Sequence, residues 1–453
     1  MDFSLTSDQL LVRDTVRQFM ETEMRPLLRE YDRAEKFPEA EIRRLGELGC
    51  CGMLIPEEYG GSATDTVTYA LMIEEVARVD ASTAVTLSVT NSVAGAPILK
   101  HGSKAHREKY LPRLARGEIL GAFCLTEPGA GSDAAGIQTR AVRSGDSYVL
   151  NGTKSWVTNG GFSGVYVVFA KTDPSAGSRG VSAFLLEPSF PGFRISRYED
   201  KMGLRLSRSA EIVFDDCRVP AENLLGSEGQ GLRIALSALD GGRIGIAAQS
   251  VGLAQGAFEA SVRYAKQRRT FGQPIADYQA IQWMLADMAT EIEAARALTH
   301  YAAFQRDKEL ASEASESGVS TPSHRAAIQT GAFAPSASRS AVDWESTEAK
   351  PVLGGRSFSS DLSGASNEGV LAPEASTIRS RIGPQAARAK LYASEMANRV
   401  CARAVQIHGS VGYSRETEVE RYYRDARVLT IYEGTSEMQR LVIARDLLRS
   451  GRI

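Results

Sequence analysis

The spacing of apolar residues divides the chain into three stretches. After Ser7, which reads as an N-cap, Leu11, Val16 and Phe19 follow at roughly helical spacing. Pro26 stands where that helix should bend or stop. Pro56–Gly61 (PEEYGG) reads as a loop, and helical patterns resume over Met72–Val79 and Thr86–Leu99. From about residue 120 the texture changes to short runs rich in β-branched and aromatic residues, punctuated by Gly and Pro. Ser147–Leu150 and Thr153–Thr158 flank Asn151-Gly152, a two-residue hairpin signal, and Val165–Ala170, Val181–Leu186 and Ala210–Phe214 are further strand candidates. From Gly229 the helical period returns. Ile281, Leu285, Met288, Ile292, Ala295 and Leu298 step by three and four, and Ala389, Ala393, Met396, Val400 and Ile407 form a second such series. The pattern predicts an α+β protein: a helical domain over 1–119, an antiparallel β domain over 120–228, and a C-terminal helical domain over 229–453. No GxGxxG follows a strand and no βαβ alternation is present, which excludes a Rossmann domain.

Composition changes this picture in one place. From Ala311 to Ser380, 16 of 70 residues are serine, Pro interrupts four times, and no period persists. That is the composition of a disordered insertion, spanning about 309–382, between two strongly patterned helices. Elsewhere the chain is ordinary: 453 residues, 43% hydrophobic and 24% charged. Lys plus Arg (53) nearly balances Asp plus Glu (55), which gives no electrostatic case for nucleic acid or an anionic membrane. No run of 18 apolar residues is present, so no membrane insertion is expected. The N-terminus lacks both a secretory signal and a transit-peptide pattern, so a cytoplasmic location is expected. Five cysteines without CxxC spacing read as buried apolar residues, and five histidines without ligand spacing predict no metal site.

Candidate chemistry begins at CLTEPGAGSD (Cys124–Asp133). Gly129 and Gly131 allow close backbone approach, so consecutive N–H groups can face a phosphate or a ring oxygen, and Ser132 adds a hydroxyl. A plain turn would use the same glycines. Trp156 and Thr158 lie two apart on a strand and so share a face, where an aromatic wall beside a hydroxyl suits a planar cofactor. Core packing explains Trp156 equally well.

CLTEPGAGSD, NGTKSWVTNGG (151–161), QRRTFGQPI (267–275) and YRDARVLTIYEGTSEMQR (423–440), in this order, resemble the acyl-CoA dehydrogenase family. The similarity covers nearly the whole chain outside the Ser-rich segment, and LDGGRIGIAAQ (239–249) is most similar to the short-chain, butyryl-CoA branch. The resemblance implies a helical N-terminal domain, a middle β domain and a C-terminal four-helix bundle. It implies FAD, held by Phe123, Leu125, Thr126, Gly131, Ser132, Trp156 and Thr158, with Thr435 and Glu437 also in contact. Arg268, Thr270, Phe271, Gln406 and Gly409 would reach FAD bound in a neighbouring copy, so a homotetramer is expected. An Arg offers pyrophosphate a planar, bidentate fork; a solvated Arg268-Arg269 charge pair is the bland alternative. Ser132, Asp240, Arg243 and Gly434 would contact the acyl-CoA substrate. Asp240 and Arg243 are also placed, i and i+3, for an intrahelical ion pair.

The implied reaction is α,β-dehydrogenation of a thioester, with Glu433 removing the α-proton while hydride leaves the β-carbon for flavin N5. A carboxylate in an apolar pocket has its pKa raised and becomes a stronger base. Some relatives carry the base on a C-terminal helix instead; the matching position here is Gly242, which cannot serve. Val89 stands in the helix closing the acyl-tail end of the pocket, which favours a short straight or branched chain. Electron-transfer flavoprotein is the implied acceptor. Two rival readings are an acyl-CoA oxidase, which uses oxygen, and a non-enzymatic remnant whose insertion has abolished FAD binding.

Overall fold

The computed structural model describes residues 4–317 and 382–450. Most of the Ser-rich stretch lies outside these residues, but its first part does not: the helix entering it runs to Ser317, past the start expected from composition.

The N-terminal helices are α1 (Ser7–Phe19), α2 (Leu28–Ala34), α3 (Glu39–Glu47), α4 (Thr66–Val79), α5 (Ala81–Ser88), α6 (Ala96–His101) and α7 (Lys104–Ala115). The first is capped one residue earlier than its sequence suggests. Thr6 accepts from the Gln9 N–H and Gln9 reaches back to the Thr6 N–H, a reciprocal box that Ser7 cannot make. Between α1 and α2 the chain widens into a π turn (Met20–Met24) and tightens into a 3₁₀ turn holding Pro26. A second π segment, Val89–Gly95, joins α5 to α6 and carries Val89.

Strands β1 (Leu120–Cys124), β2 (Arg140–Ser144), β3 (Ser147–Thr158), β4 (Ser163–Lys171), β5 (Val181–Leu186), β6 (Phe193–Tyr198), β7 (Ser209–Pro220) and β8 (Leu224–Leu225) build one sheet. Its order is β6-β7-β3-β2-β4-β5-β8, with β1 on β4. The sheet is mixed rather than purely antiparallel, because β1 runs parallel to β4 and β2 touches β4 in parallel at Arg140–Lys171. Asn151-Gly152 is not a hairpin turn. It lies inside β3, where the register with β7 slips between Leu150 and Gly152. Asn151 and Asp216 exchange side-chain and backbone hydrogen bonds across the slip, and Gly152 takes φ 151° with the Thr139 backbone pressed against it. The real hairpin is Gly145-Asp146, between β2 and β3.

Alternation along β4 separates two cores. Val165, Val167 and Phe169 pack with Ile98, Leu111 and Leu114 of the helices, whereas Tyr166, Val168 and Ala170 pack with Leu150, Ile212 and Phe214 between strands.

The C-terminal part comprises α8 (Gly231–Gln267), the ribbon β9 (Arg269–Thr270) and β10 (Gln273–Pro274), α9 (Gln279–Ser317), α10 (Gly383–His408), α11 (Glu418–Ala426) and α12 (Ser436–Ser450). Helices α4, α8, α9 and α10 share one apolar core. Gly252 and Gly256 let α8 approach α4, since a Cβ would fall 2.0 Å from Glu74 O and 2.2 Å from Arg78 O. The β domain is tied down where the Leu204 N–H donates to Asp425 Oδ1 of α11 (2.6 Å).

Candidate active site

Strand β1 runs into the Cys124–Asp133 loop, which β3 holds from beneath. Ser155 N–H donates to Thr126 O (2.9 Å), and the fully buried Lys154 ammonium donates to Leu125 O (3.0 Å) and Glu127 Oε1 (2.7 Å). Glu127 also accepts from the Gln138 and Thr139 N–H groups. Burial alone would raise the Glu127 pKa; Lys154 and these donors outweigh it and hold the carboxyl below its ordinary value. With its base fixed, the loop presents Gly129, Gly131 and Ser132 outward, and a Cβ at either glycine would meet no atom within 4 Å.

Trp156 breaks the pleat. Its φ of 58° accompanies a register slip between Lys154 and Val157, so Lys154 is buried while Trp156, two residues on, is 58% exposed. A bulky residue at positive φ is an outlier that costs of order 1–3 kcal/mol and persists where the surroundings enforce it. Val157 points into the sheet core and Thr158 stays half-buried, so the core reading of Trp156 fails. Phe123 and Leu125 lie inward of the same loop.

Glu433 sits in the turn before α12, with φ 50°, followed by Gly434 at 89°. Ile431 and Tyr432 N–H groups both return to Val428 O; among the described residues the Glu433 N–H has no backbone acceptor. Gln439 donates to Glu433 O (3.2 Å) and Gly434 O (2.9 Å), and Lys390 of α10 donates to Gly434 O (2.8 Å). The Glu433 carboxylate lies over Gly242 of α8: a Cβ there would fall 2.1 Å from Oε2. Oε2 has no hydrogen-bond partner among the described residues. Burial pushes the carboxyl up to about 7, against the opposing pull of Lys390 and Arg243. Arg243 ion-pairs with Asp240 (2.7 Å) beside Gly383, and its Nε is left unpartnered. Thr435 continues the turn half-buried, and Glu437 is exposed in the first turn of α12. Asp425 is also pushed to about 7, but it is shut in, 1% exposed, accepting from Leu204 beside Arg421. Glu433 keeps some exposure.

The remaining expected contacts gather elsewhere. Tyr264 near the end of α8 stacks on His408 at the end of α10 (centroids 4.2 Å apart), which places Arg268, Thr270 and Phe271 at the same end of the bundle as Gln406 and Gly409. Phe271 tips the β9–β10 ribbon at φ 49° and is 98% exposed. Arg268, Gln406 and Gly409 are exposed too, so within one copy this group faces outward.

Models of the acyl-CoA dehydrogenase N-terminal, middle and C-terminal domains match residues 6–118, 122–217, and 229–333 with 370–448. The chain belongs to the acyl-CoA dehydrogenase family. It is 39% identical to the short-chain-specific acyl-CoA dehydrogenase of Clostridium acetobutylicum, over 99% of this chain and all of that one. A chain solved in work on the electron-transferring flavoprotein of Acidaminococcus fermentans is 41% identical, with TM-score 0.82 over 99% of this chain and 100% of that one. An acyl-CoA dehydrogenase from Bacillus anthracis, solved in complex with FAD, is 32% identical with TM-score 0.81, over 99% of this chain and 68% of that one. The C-terminal match skips 334–369, which lies within the Ser-rich stretch of this acyl-CoA dehydrogenase.

Two members of this site went unread in the sequence. Lys154 and Lys390 both occupy fully buried positions, and each holds a loop carbonyl. A signal existed for Lys390, because it interrupts the small apolar series Ala386, Ala389, Ala393 and Ala397. Among the described residues no helix is long and apolar enough to cross a membrane, and no three His, Cys, Asp or Glu side chains cluster as a metal site would require. All five cysteines are buried and free.

Proposed function

We propose that this acyl-CoA dehydrogenase oxidises a short straight or branched acyl-CoA to its trans-2-enoyl-CoA, with Glu433 as the base. The observation that carries the reading is the Glu433 carboxylate itself: half-buried with Oε2 shut in and unpartnered, raised to about 7, and held in a strained turn over a glycine. A base poised near operating pH combines correct ionisation with driving force for proton transfer. Tying down the carbonyls of Glu433 and Gly434 leaves the side chain little freedom to leave the α-carbon. The Glu433 N–H, which has no backbone acceptor among the described residues, would donate to the thioester oxygen as negative charge develops there. Arg243, with Nε unpartnered, and Asp240 would hold the CoA portion, with Ser132 and Gly434 at the thioester arm.

The residues of β1 and β3 fit FAD. An exposed Trp156 held at positive φ and a Gly-rich loop with open space around both glycines suit a planar, phosphate-bearing ligand. Phe123, Leu125, Thr126, Gly131, Ser132, Trp156 and Thr158 would hold it, with Thr435 and Glu437 nearby. When bound, FAD supplies the two-electron acceptor for the β-hydrogen. Arg268, Thr270, Phe271, Gln406 and Gly409 would complete the cofactor site of another copy in a homotetramer, which gives the solvent-facing Phe271 a purpose. Electrons would pass to an electron-transfer flavoprotein.

Anaerobic addition of butyryl-CoA to the yellow protein tests the reading. Bleaching of the flavin's visible absorption is the expected result, with bleaching in Glu433→Gln slowed by orders of magnitude. A Glu433→Gln protein that bleaches normally would overturn the base assignment.

A further inference from the structure

We propose that Lys390 is a positioning residue for the proton-abstraction step: its buried ammonium clamps the Gly434 carbonyl and sets a positive charge beside Glu433 without bonding to it. The inference rests on Glu433 being the base. Lys390 is fully buried on α10, and its Nζ donates to Gly434 O at 2.8 Å. No ion pair or hydrogen bond joins it to Glu433. The arrangement has two consequences that separate cleanly. The Glu433-Gly434 turn carries two consecutive positive φ values, and its carbonyls need partners away from water; Lys390 and Gln439 supply them. The charge, meanwhile, stabilises the Glu433 carboxylate at a distance, which moderates the rise that burial causes without consuming the lone pairs that must accept the proton. A direct ion pair would have made Glu433 a weak base.

The groups facing Glu433 are Arg243 from α8, Lys390 from α10, Tyr69 from α4 and Tyr432 from its own turn. Glu395 and Glu437 face Lys390. Burial pulls Lys390 down to about 8 while Glu433 holds it up, so it stays charged at neutral pH. Arg243 is already engaged by Asp240, which leaves Lys390 as the cation without a carboxylate of its own among these groups.

Two variants divide the roles. Lys390→Gln keeps a donor for Gly434 O and loses the charge; Lys390→Met loses both. The rate of flavin reduction by butyryl-CoA is measured against pH for each, beside the infrared carboxyl band that titrates in the wild type and is missing from Glu433→Gln. In both variants the acid limb and the band's midpoint should rise by about one pH unit or more, the scale set by a neighbouring opposite charge. The high-pH plateau should fall further in Lys390→Met than in Lys390→Gln, because only the former frees the carbonyl. A plain structural role predicts plateaus that fall with the limb unmoved, and that result in a folded, yellow Lys390→Gln overturns the proposal. Failure of both variants to fold also counts against it, since positioning predicts a folded protein. Normal bleaching by Glu433→Gln would instead sink the base reading on which the inference rests.

Discussion

The protein contains two buried Lys–Glu combinations, and they behave in opposite ways. In the β domain, Lys154 touches Glu127 at 2.7 Å and two N–H groups complete the carboxylate's shell; Glu127 is held below its ordinary pKa. At the C-terminal turn, Lys390 gives its hydrogen bond to the Gly434 carbonyl, Glu433 Oε2 accepts none, and Glu433 rises to about 7. Burial and an adjacent lysine are common to both. The difference is where the lysine's hydrogen bonds go. Satisfying a buried carboxylate makes a fixed strut, whereas withholding partners from one leaves it ready to take up a proton near neutral pH.

The largest effect should come from removing the proposed base. Glu433→Gln is nearly isosteric and should slow flavin reduction by about 10²- to 10⁴-fold, the range for a positioned general base, with flavin content and fold retained. Stopped-flow absorption at the flavin band, with a thermal melt of the same sample, would show it. Equal losses of rate and stability would make Glu433 a strut like Glu127 and erase the contrast. Next is the strut. Lys154→Met leaves Glu127 charged and buried without its cation, which should cost about 3–5 kcal/mol and release the Cys124–Asp133 loop. Urea unfolding and flavin retention on dialysis would report it, and adding Glu127→Gln to Lys154→Met should recover part of the loss. A smaller effect should follow from the opposing helix. Gly242→Ala puts a methyl into the space of Glu433 Oε2 and should lower kcat about 10²-fold, since a misplacement of about 1 Å at a reacting group costs that much. Unchanged kcat would mean that the carboxylate works from another position.

Much of this was legible in the sequence. Apolar steps of three and four located α9 and α10, and runs of β-branched and aromatic residues located β4 and β5, which are buried on both faces. Spacing misread the places where backbone departs from the repeat. Asn151-Gly152 carries turn chemistry, but Asn151 spends it on Asp216 across a bulge inside a long strand. Thr6 and Ser7 are equivalent caps by type, and only the reach of Gln9 chooses between them. Resemblance alone proposes Glu433 as the base. That it lacks a partner, and that Lys390 is turned to the neighbouring carbonyl, are facts of three dimensions: α10 and the turn lie 44 residues apart in the chain.

In the pH dependence of stability the two carboxylates should have opposite signs. Glu433 has a folded pKa near 7 against an ordinary 4.5, so between those values the folded protein binds the extra proton. Its contribution is therefore full below about pH 4.5 and is lost as pH rises through 7. Glu127, held below 4.5, contributes stability that is present above that pH and lost as pH falls through its lowered folded value. Replacing each with Gln removes its titration. The melting temperature of the flavin-loaded Glu433→Gln protein, relative to wild type, should accordingly climb from pH 5 to pH 8, while that of Glu127→Gln should be lower than wild type across this window and close the gap only in acid. Parallel slopes for the two variants would show that Glu433 is no more starved of partners than Glu127, and the distinction between strut and base would have to be sought in substrate contacts instead.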